Sequence, residues 1–486
     1  MRKLSRGTNR GAELALGYAV SLVLVGCGSA GNDGGTGGSA SSGDGDSASV
    51  GAGGSSDPGC SGACTAEGAE CGPIESACGV IDCGSCANGT TCEANQCSGP
   101  ASCESLGERI SVTEVDVGVE VDQPLWGLQV RDGNFQSTEG YPPIVVSALP
   151  SGEAKVAWTA KDGTVHVTPL TPSLQRKGPD AIIAATEAYY SPVIRGFVAH
   201  EDGGAILVSR PAAATNEWDL TLVRFDDSGQ ELFATSLNDE DDSVYGRTTG
   251  RLVWTGTQYM AYFAIGGTAG FSQGHQGDKL KVIDANGAIA GGGWEWGCSH
   301  SLDQRLEVTS KGTKAICVSD SYPSTGIVID NGLNISPEPG NAMGDTDATL
   351  GGAVERGDTF YVLFSAKQAG AWDIALGGVQ LTSNTPIAKT WLTSTPVMDG
   401  NPKLVAYGPD GMLAAWASPD DANLGQLIHT AQLLDASGQP VGGPETLPVP
   451  MGALDDLRTL PSGDVFWAYS WDDLTKLKIV RMAYCQ

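Results

Sequence analysis

From about residue 140 onward one pattern returns seven times, a turn glycine followed at once by a short apolar stretch. The copies are GEAKVAW from Gly152, GAILVS from Gly204, GTQYMAYF from Gly256, GTKAICV from Gly312, GDTFYVLF from Gly357, GMLAAW from Gly411 and GDVFWAY from Gly463. Runs this short, bounded by glycine turns, read as strands, not helices. Successive anchors stand 45 to 56 residues apart, which is room for four strands and their turns and matches the period of propeller blades. The expected fold is therefore all-β, a seven-bladed β-propeller with about 50 residues per blade, give or take one blade, because edge strands carry the weakest signal.

A second mark follows several of these strands: an apolar residue, an aspartate and, a few positions on, a glycine. Phe225-Asp226 with Gly229, Ile283-Asp284 with Gly287, Ile329-Asp330 with Gly332, and Leu434-Asp435 with Gly438 are the copies. Aspartate accepts hydrogen bonds from turn backbone and glycine takes positive φ without a Cβ clash, so these are expected to be hairpin turns and not calcium loops. Composition agrees, with 68 glycines and only 17% charged residues in 486. A row of β-sandwich domains would also supply strands, but not so short a period.

The first 26 residues carry Arg2, Lys3, Arg6 and Arg10, then an apolar run from Leu14 to Val25 that ends in Gly26 and Cys27. A basic start followed by about a dozen apolar residues is an export signal, too short for a membrane span. Leu24-Val25-Gly26-Cys27 resembles the lipobox of bacterial lipoproteins. That resemblance implies cleavage after residue 26 and a diacylglycerol on Cys27, and the Gly28 that follows points to the outer membrane as the destination. Residues 27–58 are nearly all Gly, Ser, Ala and Asp, a disordered tether with a mean span of roughly 30 Å.

Residues 59–99 hold Cys60, Cys64, Cys71, Cys78, Cys83, Cys86, Cys92 and Cys97. In an exported chain this density is a disulfide scaffold whose connectivity spacing leaves open; the Cys83-Gly84-Ser85-Cys86 motif is better read as part of it than as a zinc or redox site. ECGPIESACGVIDCGSC followed by TCEANQC resembles a cysteine-rich module common in exported proteins of myxobacteria, which implies a spacer or contact module without activity. Residues 100–486 are the propeller. Its own cysteines number four. Propellers commonly close by pairing an N-terminal strand with the last blade, so Cys103, before ISVTEVDVGV, is expected to bond Cys485, after KLKIVRMAY, while Cys298 is expected to bond Cys317.

The search for chemistry singles out no catalytic residue, no cofactor-binding motif and no metal site. Gly270-Phe271-Ser272-Gln273-Gly274 has the G-x-S-x-G form, with His275 next to it, but a nucleophile elbow needs a strand-to-helix turn and this motif lies between two strands. The five histidines, His166, His200, His275, His300 and His429, are dispersed. Asp239, Asp241 and Asp242, and Asp345 with Asp347, could share a cation but fit solvated loops. Trp158, Trp416 and Trp467 lie on the repeated strand and are expected to pack between blades; Trp294 and Trp296 offer a sugar-stacking loop or plain packing. A net charge of −29 repels phosphate backbones and anionic headgroups, so nucleic acid is excluded as a partner and the membrane is met only through the lipid. The expected function is a monomeric, non-catalytic lipoprotein of the envelope, facing periplasm or surface, that binds a protein or glycan. A glycan-directed hydrolase or lyase and a structural envelope component are the alternatives. A deep axial pocket ringed by carboxylates with a His or Arg would go with an enzyme, and a channel plugged by small apolar side chains with a binder.

Overall fold

The computed structural model describes most of residues 103–485 and, as backbone, four short strands between Pro73 and Ser98. Cys27, the tether and Cys60, Cys64, Cys71, Cys78, Cys83 and Cys86 lie outside the described residues, as do Ser272, His275, His300, Asp241, Asp345, Asp347 and Trp296. Within the cysteine module, Thr91–Glu93 pairs with Gln96–Ser98 and sets Cys92 opposite Cys97; Pro73–Ser76 pairs with Gly79–Asp82.

The chain forms a seven-bladed β-propeller. Each blade is an antiparallel sheet whose strands follow one another from the axis outward, and the last borrows its outermost strand from the other end of the chain. The innermost strands are Ile144–Ala148, Val193–His200, Gly250–Trp254, Gln304–Thr309, Thr349–Arg356, Gly400–Tyr407 and Arg458–Thr459. Each lies against the innermost strand of the next blade, and the seventh meets the first. The repeated apolar stretches are, without exception, the second strands: Ala154–Thr159, Gly203–Pro211, Gln258–Gly267, Gly312–Ser319, Thr359–Gln368, Gly411–Pro419 and Val465–Tyr469. They carry continuous buried runs, as in AKVAWT and VFWAY, because both faces meet neighbouring blades. A parallel-sheet-like apolar run in an antiparallel sheet has that cause.

The glycines before these strands make the turn from first to second strand. Gly463 shows why the residue cannot change: its φ is +88°, and an added Cβ would stand 2.8 Å from the Cα of Gly408 in the matching turn of the preceding blade. The aspartate-glycine turns join third to fourth strands. In three of them the carboxylate caps the turn, Asp226 Oδ1 accepting from the N–H groups of Ser228 (2.9 Å) and Gln230 (3.0 Å), with Asp284 and Asp435 doing the same in their own turns. Asp330 departs from this pattern. It adopts φ +47° itself and turns its carboxylate back to the N–H of Ala315 at 3.0 Å.

Closure joins the chain ends. Ile110–Asp116 pairs antiparallel with Lys476–Met482, Ile110 opposite Met482 and Asp116 opposite Lys476, and Cys103 is bonded to Cys485 just beyond that pairing. The second propeller disulfide, Cys298 to Cys317, ties the entry of the fourth blade to its second strand. Trp158, Trp416 and Trp467 are buried at 0%, 4% and 1% exposure in three separate clusters between blades.

Antiparallel order sorts the connections by length. Turns from first to second and from third to fourth strands leave one face of the ring and are short, apart from the ten-residue link 171–180 in the first blade. Those from second to third strands and from blade to blade leave the other face and include the longest segments, such as 237–249, 338–348 and 447–457.

Candidate functional site

The axis gathers several of the propeller's buried charges. Apolar inner strands carry an inward basic residue in five of the seven blades: Arg195, Arg251, Arg305, Lys403 and Arg458. Arg195, Arg251, Arg305 and Lys403 are at most 4% exposed. A buried guanidinium is tolerated only where an anion and hydrogen-bond acceptors meet it, and one carboxylate meets three of them. Asp456, two residues before Arg458, lies 3.0 Å from Nε of Arg251 and 3.1 Å from Nε of Arg305, and Arg458 Nη2 donates to it at 3.3 Å. The seventh blade is thereby held to the third and fourth across the ring.

The remaining donors are spent on backbone and on a second acid. Arg305 donates to the carbonyls of Gln304 (2.7 Å) and Leu350 (2.8 Å) and pairs with Asp303, whose other oxygen accepts from the Leu350 N–H at 2.8 Å. Arg251 donates to the Gly250 carbonyl at 2.7 Å. Burial alone would raise the Asp456 carboxyl, but Arg251, Arg305 and Arg458 outweigh it and hold the group well below the usual carboxylate range. Burial pulls Arg251 down, with Asp456 opposing. Glu307, whose partner is Arg458 at 3.4 Å, is pushed up by burial against that attraction.

Beside Arg195, Arg251 and Asp456 the axis leaves a void of about 10 Å³, space for about one water. At the short-turn end it widens into a cavity of about 330 Å³ walled by the late halves of the inner strands of blades four to seven. The ion cluster thus sits on the axis near the starts of the inner strands, and the cavity lies toward their ends. The plug is charged, not apolar as considered from the sequence, and the cavity beside it does combine carboxylates with arginines, Glu307 and Glu355 with Arg356 and Arg458, of which Glu355 and Arg356 are bonded to neighbouring turns.

Of the residues singled out from the sequence, the described ones are not brought to the axis as a group. The strands flanking Gly270 to Gly274 pair with each other, Gly266 opposite Gln276, so that motif joins two strands of one hairpin and is followed by strand, the wrong context for a nucleophile elbow. Asp239 binds Lys279 at 2.6 Å and Lys281 at 2.9 Å, and these cations, working against burial, lower it to about 2. His166 stacks on Trp158 and sits in a network with Thr164, Thr168 and Asp180 inside the first blade. His200 meets Tyr259 Oη at 2.8 Å, and burial followed by Arg224 lowers it to about 4. Trp294 packs edge-on against Tyr262.

Asp278 is a buried acid that sequence reading passed over. It lies within 4.8 Å of the sulfurs of Cys298 and Cys317, but those sulfurs are bonded to each other. Its carboxylate accepts from the Cys298 N–H at 2.7 Å and from Tyr262 Oη, which makes it a clamp on the disulfide strand. The axial arginines were missed as well, although a signal was present. VIRGF, GRLVW, QRLEV and PKLVAY each place a cation inside an apolar strand, in a chain with only 28 basic residues.

The chain matches no family model and no curated protein. Among solved structures it is similar to a luciferin-regenerating enzyme, at 10% identity and a TM-score of 0.35 over 71% of this chain and 92% of that one. It is also similar to the lectin BP39L from Burkholderia pseudomallei, at 11% identity and a TM-score of 0.41 over 63% of this chain and 84% of that one.

Proposed function

We propose that the protein is an envelope lipoprotein, anchored by an acylated Cys27 and lifted off the membrane by its tether, whose propeller holds a protein or glycan partner without altering it. The commitment of the axial acids is the observation that supports this reading. An acid or base that works on a substrate needs a free valence within hydrogen-bond reach of it; Asp456 is shared among three guanidiniums, Asp303 is committed to Arg305 and Leu350, and Glu355 to Ser310, which among the described residues leaves Glu307 alone where glycoside hydrolysis takes a pair of carboxyl groups. A ring made rigid in this way suits presentation of loops. The face carrying the long connections is the one we assign to the partner.

The test immobilises the full-length chain in detergent micelles and exposes it to envelope fractions and glycan fragments, with and without calcium, followed by mass spectrometry of whatever is retained and released. Selective retention of an unaltered partner is expected; a cleaved or unsaturated sugar product overturns the reading. The anchor has its own check, because Cys27→Ser should leave the membrane fraction and lose incorporation of a labelled fatty acid.

A further inference from the structure

The cavity of about 330 Å³ at the short-turn end of the axis falls within the range of small-molecule sites, roughly 300–1,000 Å³. Its charged lining residues divide into two kinds. Glu355 accepts from the N–H and hydroxyl of Ser310 with its two oxygens, and Arg356 spends its donors on the carbonyls of Glu355, Asp410 and Gly411. These two are committed to neighbouring turns and form fixed walls. Glu307 and Arg458 are different. They meet each other at 3.4 Å, and Arg458 meets Asp456 at 3.3 Å, both longer than the roughly 2.7–2.9 Å of a well-made charged hydrogen bond. Their side chains keep 24% and 27% of their surface exposed, and among the described residues the second Glu307 oxygen and the Arg458 Nε–H have no further partner.

We propose that this cavity binds a neutral polyhydroxyl ligand, a single sugar unit, through Glu307 and Arg458. A hydroxyl donates and accepts at once, so one or two adjacent hydroxyls bridge an acceptor and a donor that stand side by side. Charge balance selects against ions: the charged residues lining the cavity are Glu307 and Glu355 against Arg356 and Arg458, and the sum is zero. The aliphatic lining, Val308, Val354, Leu404 and Leu457, offers contact to the C–H surface of a ring. The site lies at the opposite end of the axis from the long connections and is independent of the partner face.

Saturation-transfer NMR on the full chain in detergent micelles, with glucose, galactose, mannose, fucose and N-acetylglucosamine as probes and leucine, a zwitterion, and acetate, an anion, as ionic comparisons, tests the proposal. At least one sugar should receive saturation and the two ionic probes should not. Val308 is 46% exposed, so Val308→Trp fills the mouth from outside the core and should abolish the signal. Glu307→Gln keeps the side chain's size and should weaken binding roughly tenfold, the cost of one charged hydrogen bond. No sugar signal, a signal unchanged in both variants, or transfer to leucine or acetate instead overturns the proposal. Val308→Trp should still retain its partner in the envelope screen, so failure here and failure of the partner reading are told apart.

Discussion

Between its blades the ring is apolar, and along its axis it is charged. The interface of the first and seventh blades packs Trp158, Leu170, Phe466, Leu477 and Ile479, and that of the fourth and fifth packs Ile316, Ile327, Phe360 and Phe364, all at 1% exposure or less. Each such side chain contributes about 1.5–3 kcal/mol by leaving water. The axis buries Arg251 and Arg305 at 4% and 1% exposure, where desolvation consumes most of what the ion pairs return. Stability therefore resides in the interfaces. What the axis adds is a distance constraint: Asp456 must reach two arginines on the far side of the ring, which favours one ring size over its neighbours.

The strongest way to break this contrast is to remove the shared anion. Asp456→Ala leaves three guanidiniums around a missing charge, and thermal or urea unfolding should show a loss of about 3–5 kcal/mol. Trp467→Ala, deep in an interface, should lose a similar amount, about 3–5 kcal/mol, through its cavity. The two differ in how they are rescued. Replacing Arg251, Arg305 and Asp456 together by Met, Met and Leu should recover most of the first loss, because an apolar axis of similar volume needs no compensation. A triple variant no more stable than Asp456→Ala would place net stabilisation in the ion cluster itself.

That contrast also marks what could be read from the sequence. The second strands were legible because both faces are apolar and a glycine with positive φ must precede them, as at Gly256 and Gly463; the fold and its closure through Cys103 and Cys485 followed from their period. Position around the ring was legible and position across it was not. Asp456 and Arg251 stand far apart in the chain and four blades apart in order, and nothing in a strand's period says which inner residues meet over the axis. Asp278 was hidden for the same reason, since its partners Tyr262 and Cys298 become neighbours only through strand pairing.

Acid sharpens the comparison, because the two regions titrate differently. His429, on the third strand of the sixth blade, is 6% exposed and its Nδ1 has no hydrogen-bond partner. Burial, followed by Lys403, lowers it to about 4. An unfolded histidine titrates near 6.5, so between those values the unfolded chain binds the extra proton. The stability this residue supports is complete above about pH 6.5 and falls as pH drops toward 4, by up to about 3 kcal/mol. Asp456, held well below the usual carboxylate range, keeps its charge across that window. Wild-type unfolding free energy should therefore decline from pH 6.5 to 4, and His429→Gln should make the decline shallower, with His200, also lowered to about 4, carrying the rest; an unchanged slope would move the acid sensitivity elsewhere.

A comparable loss, about 3 kcal/mol for a loop of this length, is expected of the double change Cys298→Ser and Cys317→Ser, which opens the 19-residue link into the fourth blade. Reduction of the unmodified protein should reproduce it in the same melting experiment, with the loss of Cys103–Cys485 added.

The smallest effect belongs to an exposed turn, away from the axis. Asp435 Oδ1 accepts from the N–H groups of Ser437 and Gln439, each at 2.9 Å, across a turn closed by Gly438 at φ +78°. The aspartate is exposed, so water takes over its donors when it is removed, and Asp435→Ala should cost about 1 kcal/mol or less. Gly438→Ala at the same turn should cost more, since an added Cβ would stand 2.8 Å from Leu376 and 2.9 Å from Tyr361 of the preceding blade. That difference separates a turn that only reverses the chain from one that also seats one blade against the next, and chemical denaturation of the two variants measures it directly.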